Sequence, residues 1–221
     1  MNKAAAALAG FVLCGMSPAA AQDRLVTTVV PETRRHWDAA GLVGWRGVNK
    51  SDLAADWNDW YDVAIFSASA GHYVTPHVKI DLDLSTTTTG RVFGQELVVV
   101  VPGGTVPNYR VWESGFRRTT AAAGLTYQFF ENQWVHPFLG AGIEGIRETE
   151  RIEAQILPAR GPLAPILTPE TRIRYSARPF VTGGVKWYVS ERTFIRSDIL
   201  STFSSAGAES AALRIGVGVD F

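Results

Sequence analysis

The sequence has almost no cysteine. One thiol, Cys14, occurs in 221 residues, and it sits in an apolar N-terminal stretch. The residue before it is Leu13, too large for the small position that precedes a lipid-modified cysteine. The chain beyond residue 21 therefore has no disulfide, no thiolate metal site and no cysteine nucleophile. There is also no excess of charge: Lys plus Arg and Asp plus Glu are 21 each. That balance argues against nucleic acid as a partner, which calls for a basic face. Beyond the N-terminus there is no run of about 18 apolar residues, so membrane-spanning helices are excluded. The 46% of hydrophobic residues are instead scattered, among 21 glycines and only 19% charged residues.

The first 21 residues read as a signal peptide. Lys3 is the positive end, Ala4 to Leu13 the apolar segment, and Ala19, Ala20 and Ala21 the small residues of a cleavage site before Gln22. Residues 22–36 read as a periplasmic lead-in and 37–221 as one domain.

From Trp37 onward, eight segments alternate in polarity, the period of strands with two unlike faces. The last is the clearest. Ala211, Leu213, Ile215, Val217, Val219 and Phe221 share one face; Arg214, Gly216, Gly218 and Asp220 share the other. Upstream, Trp37, Ala39, Val43 and Trp45 oppose Asp38 and Arg46. Val78, Ile80, Leu82 and Leu84 oppose Lys79, Asp81 and Asp83. Ala121, Ala123, Leu125, Tyr127 and Phe129 oppose Gly124, Thr126 and Gln128. Val135, Leu139, Ala141 and Ile143 oppose His136, Gly140, Gly142 and Glu144. Ile173, Tyr175, Ala177, Pro179, Val181, Val185, Trp187 and Val189 oppose Arg174, Ser176, Arg178, Thr182 and Lys186. Ile195 and Ile199 oppose Arg196 and Asp198. In the second segment Tyr61, Val63, Ile65 and Tyr73 are set against Asp62 and His72, with Trp60, Ala64 and Phe66 competing for the apolar side.

Short and long connections alternate. The short ones are Val74–His77, Glu131–Trp134 and Ser190–Thr193. The long ones run about Gly47–Asp59, Ser85–Ser114, Glu148–Arg172 and Ser204–Ser210. Membrane barrels have short turns at one end and longer loops at the other. The expected fold is all-β: an eight-stranded antiparallel up-and-down transmembrane β-barrel. A soluble lipocalin-like carrier would show the same period with its faces inverted. Aromatics at strand ends (Trp37, Trp45, Tyr61, Tyr73, Tyr127, Phe129, Trp134, Trp187, Phe221) fit interfacial girdles. A polar face of mixed charge signs fits a lumen of paired charges, with Phe138, Phe180 and Tyr188 helping to fill it.

The alternation Leu213, Ile215, Val217, Val219 and the terminal Phe221 resembles the β-signal of outer-membrane proteins. Residues 37–221 resemble the small outer-membrane β-barrels of the OmpA-like and OmpX-like kind. The runs at 123–130 (AGLTYQFF) and 137–142 (PFLGAG) are similar to strands of such barrels. The resemblance implies location in the cell outer membrane, contact with its lipid bilayer, and insertion by the barrel assembly machinery through the strand ending at Phe221. It does not fix a function, because the fold hosts several.

No catalytic, cofactor-binding or metal-binding residue is assigned, and no cofactor is expected. His36, His72, His77 and His136 form no His-x-x-x-His pair. Where lipid A deacylases carry a His and a Ser two residues apart, this chain reads Arg196, Ser197, Asp198. Glu144 or Asp198 beside a histidine would allow acid–base chemistry, but a lumen ion pair is the expectation for both. Gly103-Gly104 lacks the Gly-Lys of a phosphate loop. The stretches 98–104 and 157–169 are apolar for loops, which points to strands running past the bilayer with packed loops, or to a surface for a ligand. The reading is a non-enzymatic barrel with a structural, surface-interaction or adhesion role. A small-solute porin-like channel is the alternative, and the soluble lipocalin-like carrier comes third.

Overall fold

A computed structural model describes residues 36–49, 60–98, 108–129, 134–157, 169–205 and 207–221. The expected signal peptide, nearly all of the lead-in, the turn residues 131–133 and most of the apolar loop stretches lie outside them.

Strand follows strand through the described residues. They are β1 (Trp37–Asn49), β2 (Trp60–Tyr73), β3 (Val78–Thr87), β4 (Gly90–Val98), β5 (Asn108–Gln128), β6 (Val135–Leu157), β7 (Glu170–Tyr188), β8 (Thr193–Ser204) and β9 (Gly207–Asp220). Each pairs antiparallel with its sequence neighbour, apart from β3 and β4. Those two both lie on β5, from Val78↔Tyr127 to Thr86↔Thr119 and then from Gly90↔Phe116 to Val98↔Asn108. They are one long strand broken at Thr88 and Thr89. At the break the Thr88 amide donates to the Ala64 carbonyl (2.9 Å), and its hydroxyl accepts from the Ala64 amide (3.1 Å). β1 closes on β9 from Asp38↔Asp220 to Val48↔Ser210. Beyond that ladder, Trp37 and Phe221 exchange amide–carbonyl bonds of 3.1 and 2.9 Å. Counting β3 and β4 as one, the nine segments make a closed eight-stranded barrel.

Two described turns share one local device. In Val74–His77, the Thr75 hydroxyl accepts from the His77 and Val78 amides; in Ser190–Thr193, the Ser190 hydroxyl accepts from the Arg192 and Thr193 amides. A short hydroxyl side chain thus satisfies amides that the tight bend leaves unpaired. At the other end, Gly207 turns β8 into β9 with φ +116°, a left-handed conformation that suits glycine.

Polarity runs opposite to that of a soluble protein. Trp45 is 66% exposed, while its neighbour Arg46 is 1% exposed. Val43, Leu82, Leu84, Leu125, Leu139, Ile143, Val181, Leu213, Ile215 and Val217 also face outward. Soluble monomers rarely expose a contiguous apolar patch above a few hundred Å²; here one encircles the barrel. Trp37, Tyr127, Trp134, Trp187 and Phe221 ring its turn end, and Trp45, Phe66 and Tyr175 lie toward the far end. From Trp134 to Ile143 is nine residue steps. At about 3.3 Å per step and a tilt of about 40°, that is roughly 23 Å of height, the span of a membrane barrel's apolar band. The soluble carrier requires the inverse arrangement.

Four expectations need correction, one of them the last connection: β8 pairs with β9 as far as Ser204↔Gly207, so Ser204–Ser210 is a tight turn and not a long loop. The second strand faces the other way: Val63, Ile65, Ser69 and Gly71 are buried inside, and Tyr73 turns inward, so Tyr61 and Tyr73 bracket nothing on the lipid face. Outside are Asp62, Phe66, Ala68 and Ala70, which removes Asp62 from the lumen. The connection Ser85–Ser114 is largely strand, comprising the end of β3, all of β4 and the start of β5. Glu148–Arg172 likewise loses Glu148–Leu157 to β6 and Glu170–Arg172 to β7. The β5–β6 ladder is continuous from Gln128↔Phe138 to Tyr109↔Leu157, so β4, β5, β6 and β7 carry a sheet past the apolar band.

Candidate functional site

The chemistry-bearing side chains converge in the lumen, because period two turns every second residue inward. They form layers. Nearest the turns, Asp38 Oδ2 accepts from Lys79 Nζ (2.8 Å), Lys186 Nζ (2.9 Å) and the Tyr73 hydroxyl (3.1 Å). Lys186 also donates to Asp220 Oδ1 and to the Tyr73 hydroxyl, each at 2.8 Å. Lys79 lies 2.8 Å from Asp81 Oδ1. Tyr188 donates to Asp220 and Thr126 to Asp81. Gln128 closes the layer through the Tyr73 hydroxyl at 3.0 Å. The Lys186 ammonium lies 3.8 Å from the centroid of the Phe194 ring, a cation over an aromatic face.

The middle layer is built on Asp198. Arg214 grips it with Nε (2.7 Å) and Nη2 (3.1 Å), the two-pronged geometry that makes arginine a strong carboxylate partner. Arg214 Nη1 reaches Asp83 at 2.8 Å, and Arg196 Nε reaches Asp198 Oδ2 at 2.8 Å. The Arg196 guanidinium stacks over Phe138 at 4.8 Å.

Higher up, Glu144 accepts from Arg46 Nη2 (2.6 Å) and the Thr202 hydroxyl (2.8 Å). Arg118 bridges Glu148 (2.6 Å) and Glu209 (3.1 Å), and Arg178 reaches Glu209 at 2.6 Å. Ser114 donates to Glu150 at 2.7 Å. Above Arg46 the lumen turns apolar: Val48, Val63, Val92 and Phe116 are buried together, with Tyr61 and Trp112 packed on them.

Of the lumen charges expected from the sequence, Asp38, Arg46, Lys79, Asp81, Asp83, Glu144, Arg178, Lys186, Arg196, Asp198, Arg214 and Asp220 meet in this network, and Arg174 stands at the mouth, 3.9 Å from Glu150. Arg118, Glu148, Glu150 and Glu209 were not foreseen. Arg118 keeps the even-numbered parity of Gln128, Thr126 and Gly124, so extending the period through polar residues would have found it. Phe138, Phe180 and Tyr188 lie inside as expected.

The histidines are spread along the turn end. His72 Nδ1 lies 3.0 Å from the His36 carbonyl, and its ring is 4.4 Å from that of Trp37. His77 Nδ1 lies 3.1 Å from the Gln128 carbonyl, and its ring stacks on Tyr127. His136 meets Tyr188 edge-on. No histidine contacts Glu144 or Asp198 in the bonds above, and Ser197 sits on the outward-facing parity between Arg196 and Asp198. Both carboxylates are committed to arginines. The arrangement can hold strands in register by charge pairing, and it fills the bore.

No family model matches the sequence, and no curated protein does either. Solved structures do match. The N-terminal β-barrel domain of Pseudomonas aeruginosa OprF is similar over 85% of this chain and 98% of its own, at 13% identity and a TM-score of 0.51. Neisserial surface protein A is similar over 84% of this chain and 97% of its own, at 14% identity and a TM-score of 0.53. Identities this low speak to the fold. An apolar band outside, charged layers inside and eight strands closed on themselves agree with it: by fold, the chain is a small eight-stranded membrane-spanning β-barrel, the fold of those two outer-membrane proteins.

Proposed function

We propose that this is a non-enzymatic outer-membrane protein whose lumen is a structural core, and whose role is structural or is exercised at the cell surface through contact with a partner. The observation that carries the reading is the filled bore. Eight strands leave an interior just wide enough for side chains, and here ion-paired layers and an apolar plug occupy it. The hollow between Ser69, Asp83, Phe180, Arg196 and Arg214 holds about 20 Å³, room for about one water. The surface role is supported by the sheet that β4–β7 carry beyond the band.

Single-channel recording from the purified barrel in planar lipid bilayers tests it. No reproducible steps are expected. Uniform, salt-dependent steps would overturn the reading in favour of the small-solute channel.

A further inference from the structure

The outward face of the extended sheet changes character within two residues of the apolar band. Reading across the strands, Leu84, Ala121, Gly145 and Ala177 stand in one row. The next row outward is Thr119, Arg147 and Tyr175, and the one after is Arg117, Thr149 and Ile173. Then come Arg91, Gly115 and Arg151. Arg117 is thus the diagonal neighbour of Arg91, Arg147 and Arg151, a relation that puts Cα atoms about 7–8 Å apart. Within β4–β6 the residues directly opposite these arginines are small: Gly115, Thr119 and Thr149. They leave an open hollow of about 830 Å³ lined by the four guanidinium-bearing chains.

The charges there are not cancelled. Arg91 lies 3.5 Å from Glu113 and Arg151 lies 3.0 Å from Glu153. Among the described residues, Arg117 is held only by the Thr86 hydroxyl, at 3.2 and 3.4 Å, and Arg147 has no carboxylate partner. Four arginines less two glutamates leaves a charge of two positives on one side of a sheet. Like charges gathered this way repel until an anion joins them.

Directly beneath lies a second hollow of about 530 Å³, between Leu84 and Tyr175, floored by Ala121, Gly145 and Ala177. It belongs to the apolar band and opens next to Arg147. A cationic hollow stacked on an apolar one fits an amphiphile: a phosphate head above, the first part of an acyl chain below. Arginine's planar fork binds phosphate oxygens in pairs. We propose that the outward face of β4–β6 binds the phosphorylated headgroup of a membrane lipid, with Arg91, Arg117, Arg147 and Arg151 on the phosphate and the Ala121–Gly145–Ala177 hollow on the chain. The inference rests on the membrane-barrel reading, since only there do lipid heads lie at this height.

The test uses the full barrel folded in detergent and native mass spectrometry. Three probes are compared: dioleoyl phosphatidic acid, dioleoylglycerol with the same chains but no phosphate, and glycerol phosphate with no chains. Phosphatidic acid is expected to bind well above both others. The double variant Arg117→Gln, Arg147→Gln should weaken it by roughly tenfold or more, the size of one lost charge-assisted contact. Gly145→Leu should weaken phosphatidic acid and leave glycerol phosphate unchanged. A Cβ at Gly145 meets only the Ala121 carbonyl, at an ordinary 3.5 Å, and the rest of the leucine has the hollow to enter, so this variant is expected to fold, which its heat shift on a gel checks. Equal binding of phosphatidic acid by wild type and variants overturns the proposal, as does glycerol phosphate binding as tightly as the lipid, which would mark a free-anion site. A barrel that folds, shifts on boiling and does not bind fails this inference alone; one that will not enter detergent fails the membrane reading.

Discussion

Asp38 takes three donors on one oxygen, and Lys186 gives to two carboxylates and a phenol. Such an arrangement is stable only while every member is present, because removing one partner strands a charge in a low-dielectric interior. Lys186→Met leaves Asp38 and Asp220 under-compensated and is expected to cost about 3–5 kcal/mol, read as a lower urea midpoint for the detergent-folded barrel. Gly71 is tied to the same layer: a Cβ there would sit 2.5 Å from Asp38 Oδ1 and from Lys79 Cδ, whereas one at Gly41 meets nothing within 4 Å. Gly71→Ala should therefore destabilise by about 1–3 kcal/mol through overpacking, and Gly41→Ala by far less, in the same unfolding assay. This residue-level detail was only partly visible beforehand. In β2 both faces carry apolar residues, so hydropathy did not separate them. The small polar positions do: Ser67, Ser69 and Gly71 fit a crowded, charged bore, while Phe66, Ala68 and Ala70 meet lipid. Tyr73 looked like a girdle residue because its hydroxyl has partners on β1, β5 and β7 that lie far away in sequence.

Along a strand, period two stays constant while the solvent outside changes. β5 shows this on its outward face, which runs Tyr127, Leu125, Ala123, Ala121 and then Thr119, Arg117, Gly115 and Glu113. The first four residues were legible as strand because they are apolar. Of the rest, Glu113 and the β5 residues before it fall in the expected Ser85–Ser114 connection, because Tyr109, Val111 and Glu113 on one face and Asn108, Arg110 and Trp112 on the other give no apolar stripe; only the ladder with β6 declares them strand. The change of character places the edge of the hydrocarbon near Ala121. Arginine on the lipid face costs about 2–4 kcal/mol at mid-membrane and about 0–1 near the interface. Leu125→Arg is therefore expected to cost the larger amount and Thr119→Arg the smaller, measured by reversible unfolding in lipid vesicles. Equal costs would place the lipid boundary elsewhere on β5.

Closure is the property of the whole molecule, and it decides where a broken strand is tolerated. A barrel removes the unpaired edges that an open sheet exposes, and in lipid an unpaired edge has no water to satisfy it. Val217 on β9 is paired on both sides, with Gly41 of β1 and Ile195 of β8. β4 is different: having left the barrel at Thr88, it pairs with β5 alone among the described residues. Proline removes a ladder donor and is accepted on edges but not in the interior of a sheet. Val217→Pro should open the β1–β9 seam inside the hydrocarbon, so the chain no longer reaches the compact detergent-folded form. Phe93→Pro, on the β4 edge in water, should cost at most one ladder bond and leave closure intact. Gel migration with and without boiling separates the two: wild type and Phe93→Pro should shift on heating, and Val217→Pro should run at one position. A heat shift retained by Val217→Pro would mean that the seam is not what holds the barrel shut, and that the lumen charge layers spanning β1, β3, β7 and β9 suffice.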